Sequence, residues 1–294
     1  MLVVPAATTV PLVAFAAHAF AGRDVGSGLL PTRDTAKPSR RLLGSPTALA
    51  VRAERGTFAA WAVGIAAFAV VLGMVSTSVS SAGISANVQK ELGKLGTGSI
   101  VTPTGYLAFV FIVFIFATCL FTCGQVGAAR EEEAQQRLET LLAQPVGRGP
   151  WLAGRLALAT VGVAALSALS GLLTWAGASS QGVDVSLPKL LEAGANCLPV
   201  SVLFLGLSAL AYGAVPRASS AISYSAVSAA FLWYLVASLL GVPRWLADVT
   251  PFAHIGLVPV QPFRVAAAVV MVAVGLLSAV TALGIFRRRD LLGA

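Results

Sequence analysis

Arg130-Glu131-Glu132-Glu133-Ala134-Gln135-Gln136-Arg137-Leu138-Glu139-Thr140-Leu141-Leu142-Ala143-Gln144-Pro145 is the stretch whose reading decides the fold. It holds four of the chain's twelve acidic residues within nine positions, and long apolar runs flank it on both sides. Placed on a helix over 130–144, Ala134, Leu138, Leu141 and Leu142 fall at i, i+4, i+7 and i+8 and form one apolar stripe. Glu133 and Arg137 stand four apart with the acid first, the better order for a helical ion pair. Pro145 and Gly147 then end the helix. A short amphipathic helix between two apolar spans lies on a membrane surface or docks onto a partner. The competing reading is a solvated loop between helices.

The surroundings are unlike a soluble domain. The 294 residues are 57% hydrophobic and 11% charged, with a mean hydropathy of +0.84, whereas a soluble domain is roughly a quarter charged. The chain is therefore read as an all-α polytopic membrane protein. Its formal charge of +8 is assigned to loop topology rather than to nucleic acid, because basic residues collect in cytoplasmic loops. Cys119, Cys123 and Cys197 lie within apolar runs and are read as small buried hydrophobes, with no metal site, for want of nearby His or carboxylates.

Seven segments approach the roughly 20 residues that a bilayer requires: 2–21, 57–79, 104–126, 151–176, 190–214, 219–241 and 265–286. With residues 22–56 inside, fifteen of the twenty Lys and Arg fall on the cytoplasmic side, and this bias predicts an N-out, C-in orientation. Residues 22–44 read as a flexible Gly/Pro/Ser/Arg linker. Ser45-Pro46 reads as the N-cap and first position of a short interfacial helix that leads into the second span. Between the last two spans, 242–264 carries four prolines among apolar residues, which predicts short re-entrant or interfacial helices. The pattern F-x-x-R-D-[V/L] ends both the first span, at Phe20–Val25, and the last, at Phe286–Leu291. A shared orientation at both sites argues for a repeat, although basic residues at helix ends also produce such matches by chance. The domain reading is then a leading helix (1–21), a cytoplasmic linker (22–56) and a six-span unit (57–294).

The run from Arg130 to Trp151, R-E-E-E-A-Q-Q-R-L-E-T-L-L-A-Q-P-V-G-R-G-P-W, resembles the first cytoplasmic loop of ABC-2-type permeases, in the branch of polyketide-antibiotic and multidrug exporters. The linker G-R-D-V-G-S-G-L-L-P and the terminal F-R-R-R-D-L are similar to the same branch, and the resemblance covers essentially the whole chain. Such proteins carry two six-span halves, and this sequence resembles the second half preceded by the last helix of the first. The other half would be fused upstream, encoded separately or supplied by a second copy. The resemblance implies a permease of the bacterial plasma membrane that exports hydrophobic drugs or similar amphiphiles. Helix 130–144 would be its coupling helix, held by an ABC ATPase subunit, in two copies, that binds ATP and Mg while this chain binds no cofactor. The implied coupling residues are Arg130, Glu131, Glu132, Glu133, Arg137, Leu138, Glu139 and Leu142, with the apolar stripe seated in a groove of the ATPase and the carboxylates on its basic rim. The family commonly has glycine where Gln135 and Gln136 stand here, and two glutamines predict a more regular helix.

Catalytic chemistry has no foothold in the sequence. No G-x-x-x-x-G-K-[ST] occurs, so the chain is not read as the nucleotide-hydrolysing part. His254 is read as an interfacial hydrogen-bonding residue. Glu192, three residues after Lys189, is either half of an interfacial ion pair or the carrier group of a proton-coupled transporter. A membrane anchor for a cytosolic complex is a further alternative. Asn196, Ser201 and Ser208 are read as helix-to-helix hydrogen-bonding residues. If the chain exports amphiphiles, Phe114, Phe121, Tyr224 and Ser228 are candidates to line the path; packing between spans accounts for the same residues.

Overall fold

The computed structural model describes residues 45–79, 93, 102–143 and 146–290, and among them it holds helices and turns but no strand. The helices are α1 (Pro46–Val75), α2 (Pro103–Ala134), α3 (Arg137–Leu142), α4 (Arg148–Ser180), α5 (Leu187–Ala195), α6 (Cys197–Ala214), α7 (Ser219–Leu240), α8 (Arg244–Ala247) and α9 (Val265–Arg288). Six segments are long and apolar enough to cross a bilayer: α1, α2, α4, α5 with α6, Pro216–Leu240 and α9. These are the last six spans expected from the sequence. The protein is an all-α, polytopic membrane protein. The first expected span (2–21) and the linker 22–44 lie outside the described residues.

Helix starts follow local chemistry. Ser45 Oγ accepts from the Ala48 amide at 3.1 Å ahead of Pro46, and Thr102 Oγ1 accepts from Gly105 at 3.2 Å ahead of Pro103. Each cap satisfies one orphan donor, and the proline occupies a position where no amide is needed. The expected interfacial helix after Ser45 is not separate. Nothing between Pro46 and Val75 breaks the hydrogen-bond ladder, so α1 is one continuous 30-residue helix.

Successive spans run in opposite directions. α1, α4 and α7 begin at one end of the bundle, where α2, α6 and α9 finish. This charged end carries Glu54, Glu132, Glu133, Arg155 and Arg289, joined by ion pairs that cross between helices. α2 is the central helix, with buried residues on several faces from Gly105 to Glu133.

Two tight helix pairs flank α2. A Cβ on Gly73 of α1 would lie 2.5 Å from the Thr174 carbonyl oxygen of α4, and one on Gly206 of α6 only 2.0 Å from that of Gly275 on α9. Small residues let backbones approach this closely, and dispersion along the contact holds helices together where lipid offers no hydrophobic drive. Polar side chains add cross-links. Ser201 Oγ on α6 donates to Thr118 Oγ1 on α2 at 2.9 Å, and Cys123 Sγ meets Ser208 Oγ at 3.8 Å.

The segment between the last two spans forms short helical turns, as its prolines predict. It comprises α8, a 3₁₀ turn over Pro251–His254 and a cis Val258–Pro259 bond. Phe252, Ile255, Leu257 and Val258 are buried. Neighbouring helices satisfy its polar groups: Trp233 Nε1 donates to the Leu246 carbonyl at 2.9 Å and Thr250 Oγ1 to that of Ala230 at 2.9 Å. Asn196 Nδ2 donates to the Gly256 carbonyl.

Candidate coupling site at the charged end

The 130–144 stretch is not one helix. α2 runs 32 residues, through Arg130–Glu133 to Ala134, and the chain turns at Gln135 and Gln136 before α3 begins at Arg137. Gln136 has φ 58, ψ 9, the left-handed conformation, which costs a non-glycine residue roughly 1–2 kcal/mol. The glutamines therefore mark a break rather than a regular helix, and Gln136 takes the conformation that a glycine would adopt without strain. What imposes the turn lies on both sides of it.

On the N-terminal side, the acids are pinned inward. Glu133, 2% exposed, accepts from both terminal nitrogens of Arg289, at 3.0 Å to Oε1 and 2.9 Å to Oε2. Tyr212 Oη, on α6, donates to the same Oε2 at 2.6 Å. The fork of a guanidinium on a carboxylate is the geometry that arginine alone provides. Arg289 also stands 5.3 Å from the ring centroids of Tyr212 and Phe286, and its carbonyl accepts from Arg148 Nη1 at 2.5 Å. Glu132 pairs with Arg155 of α4, which in turn donates to Glu54 of α1 at 2.9 Å. The last turn of α2 is thus tied to α1, α4, α6 and the end of α9.

On the C-terminal side, α3 folds back. Leu138 is fully buried among Val126, Ala129, Trp151 and Leu152, and Leu142 packs against the same cluster. The apolar stripe expected to enter a partner's groove faces the protein's own core instead. The expected Glu133–Arg137 ion pair is absent, because Glu133 is engaged by Arg289; Arg137 Nη2 donates to Gln135 Oε1. Of the eight predicted coupling residues, Glu131, Arg137 and Glu139 are exposed. Arg130 is half-buried, and Glu132, Glu133, Leu138 and Leu142 face inward. The outer face of the turn is completed by Gln135, Gln136, Thr140 and Ala143.

The predicted path residues are not gathered at one place. Phe114 lines a cleft of about 380 Å³ between α1 and α2, and Phe121 lines a second one. Tyr224, on α7, packs against another face of α2, with its hydroxyl 3.3 Å from where a Cβ on Gly124 would stand; Ser228, one turn on, is half-buried. At the far end, Lys189 Nζ and Glu192 Oε2 form an ion pair at 3.0 Å, half and one-third exposed. His254 Nε2 lies 2.8 Å from the Asp248 carbonyl, the local role expected of it.

Residues 43–287 match the family described as the C-terminal domain of multidrug efflux system permease Rv1217c. The chain belongs to this family. A relative in Mycobacterium tuberculosis, the multidrug efflux system permease protein Rv1217c, is 30% identical over 295 residues. That alignment covers 99% of this chain and 53% of the relative, so the chain spans about half the length of the curated relative it matches. The ABC-2-type resemblance of the Arg130–Trp151 run is thereby supported at the level of the family, and the chain is a multi-pass protein of the bacterial plasma membrane.

Within this family member, the residues that sequence reading missed are Glu54, Arg155, Tyr212 and Arg289. Arg155 and Arg289 counted only as loop charges. The available signal was position: Arg155 stands seven residues into α4 and Tyr212 near the end of an otherwise apolar helix. Polar groups so placed need partners.

Proposed function

We propose that this chain supplies a six-span half of the permease of an ATP-driven exporter for hydrophobic drugs or similar amphiphiles, oriented N-out and C-in. A separate ATPase, in two copies, binds ATP and Mg and docks on the turn that joins α2 to α3, while a second six-span half completes the permease. The observation that carries the reading is the division of labour within that turn. Its inner carboxylates are consumed by Arg289 and Arg155, while Glu131, Arg137 and Glu139 stand outward. A turn tied to four other spans and charged on its outer face transmits a push without bending, which a solvated loop does not do. The name of the relative, a multidrug efflux system permease, supports export as the task.

The test is combined reversal of the outer charges, Glu131→Lys, Arg137→Glu and Glu139→Lys, in the full-length protein. Export and co-purification of the ATPase should both be lost while the permease still reaches the membrane at its normal level. Retention of both would refute the docking role. Export that vanadate does not inhibit would refute ATP as the energy source. The proton-carrier alternative finds little support, since Glu192 is paired with Lys189 at an exposed position on short α5.

A further inference from the structure

A second cleft, of about 230 Å³, opens among α1, α2 and α4 near the charged end. Its walls are aromatic and aliphatic: Phe58 and Phe121, whose rings meet edge to face at 6.4 Å, with Leu158, Gly162 and Ala165. Gly162 lets the Phe121 ring lie against α4, since a Cβ there would be 2.9 Å from Cζ. Into this apolar space faces Gln125, only 8% exposed. Its amide makes no hydrogen bond among the described residues, in a protein whose other mid-helix polar groups on α2, Thr118 and Thr122, are bonded. A buried carboxamide is costly without a partner. Here it offers a donor and an acceptor to whatever occupies the cleft. Glu54 and Arg55 stand at the rim, and Glu54 is already engaged by Arg155.

We propose that this cleft is a binding site for an uncharged aromatic amphiphile, with Phe58 and Phe121 holding the rings and Gln125 bonding a carbonyl, hydroxyl or amide of the ligand. An apolar pocket with one well-placed polar group is the usual make-up of a small-molecule site. The occupant enters from the bilayer side, where Ala165 and Val161 are exposed. The inference concerns binding and does not require that the chain export the ligand.

The test uses the full-length protein in phosphatidylcholine nanodiscs and benzophenone, an uncharged two-ring ketone that cross-links on irradiation to C–H bonds it touches. Peptide mass spectrometry should place adducts on the segments holding Phe58, Phe121 and Leu158, saturating with concentration. Ala165→Phe, which fills the cleft from its exposed rim, should abolish this labelling without lowering the melting temperature. Gln125→Leu should weaken it roughly tenfold, the effect of losing one hydrogen bond, while leaving the melting temperature equal or higher. A lower melting temperature for Gln125→Leu would overturn the proposal, because the amide would then be bonded within the protein. Labelling spread over all exposed apolar faces and unchanged by Ala165→Phe would overturn it as well. So would a phospholipid that remains bound to the wild-type protein through purification and is lost from Ala165→Phe, which would give the cleft to an acyl chain.

Discussion

Removing Arg289 is the sharpest perturbation of the charged end. Glu133 sits 1% exposed at its side chain, and Arg289 12%. Loss of the guanidinium takes the bidentate partner from a buried carboxylate, which still accepts from the Tyr212 hydroxyl. Breaking a buried pair by deleting one partner costs about 3–5 kcal/mol, because the remaining charge stays desolvated. Arg289→Ala and Glu133→Ala should each fall in or near that range, the second at its lower end since it leaves the more exposed partner. The double variant should cost less than the sum of the two by about 2–3 kcal/mol, the coupling of groups in direct contact. Arg289→Lys should recover only part of the loss, because one ammonium cannot span both oxygens. The Lys189–Glu192 pair is the internal control. Half and one-third exposed, it should contribute no more than about 0.5 kcal/mol. The assay is reversible denaturant unfolding of the purified full-length protein in mixed micelles. Single costs below about 1 kcal/mol that add in the double variant would refute the account of a buried lock.

Three further outcomes follow from the geometry. Gln136→Gly should be neutral or stabilising by up to about 1 kcal/mol, because it relieves the left-handed strain, whereas Gln136→Val should destabilise by about 1–2 kcal/mol; thermal unfolding distinguishes them. Gly206→Val should cost at least about 2 kcal/mol and lower the yield of folded protein, since its side chain meets the Gly275 backbone, while Gly64→Val, with open space around it, should change nothing measurable. Asn196→Ala should cost about 0.5–1.5 kcal/mol by removing one of the donors to the buried Gly256 carbonyl, which also accepts from the Val258 amide, and hydrogen exchange should rise selectively across residues 250–262.

The last six expected spans were legible because apolar length is a direct consequence of the bilayer. The break at Asn196 between α5 and α6 and the extension of α2 to Ala134 were not, because both are settled by contacts between helices. The charged stretch shows why most clearly. A local reading pairs Glu133 with Arg137, an exposed helical pair worth about 0.3–0.5 kcal/mol. The folded chain brings Arg289, 156 residues away, and a buried bidentate bond outcompetes the local one. Leu138 behaves in the same way: its spacing marks an apolar face correctly, but only the position of Trp151 and Leu152 decides that this face turns inward. Charge count thus located the charged end of the bundle but did not tell which of its carboxylates face outward. Gln125 left no trace in the sequence, since a lone glutamine in an apolar helix looks the same whether or not it is bonded.

The central claim is that the outer face of the α2–α3 turn is where the ATPase docks. It is tested most directly by photo-crosslinking in whole cells, with p-benzoylphenylalanine incorporated one position at a time. At Glu131, Glu139 and Thr140 the account predicts a cross-linked product with the ATPase, and at Trp245 and Leu240, on the far end of the bundle, none. Cross-links from the far end, or none from the three turn positions in cells that contain the ATPase, would contradict it.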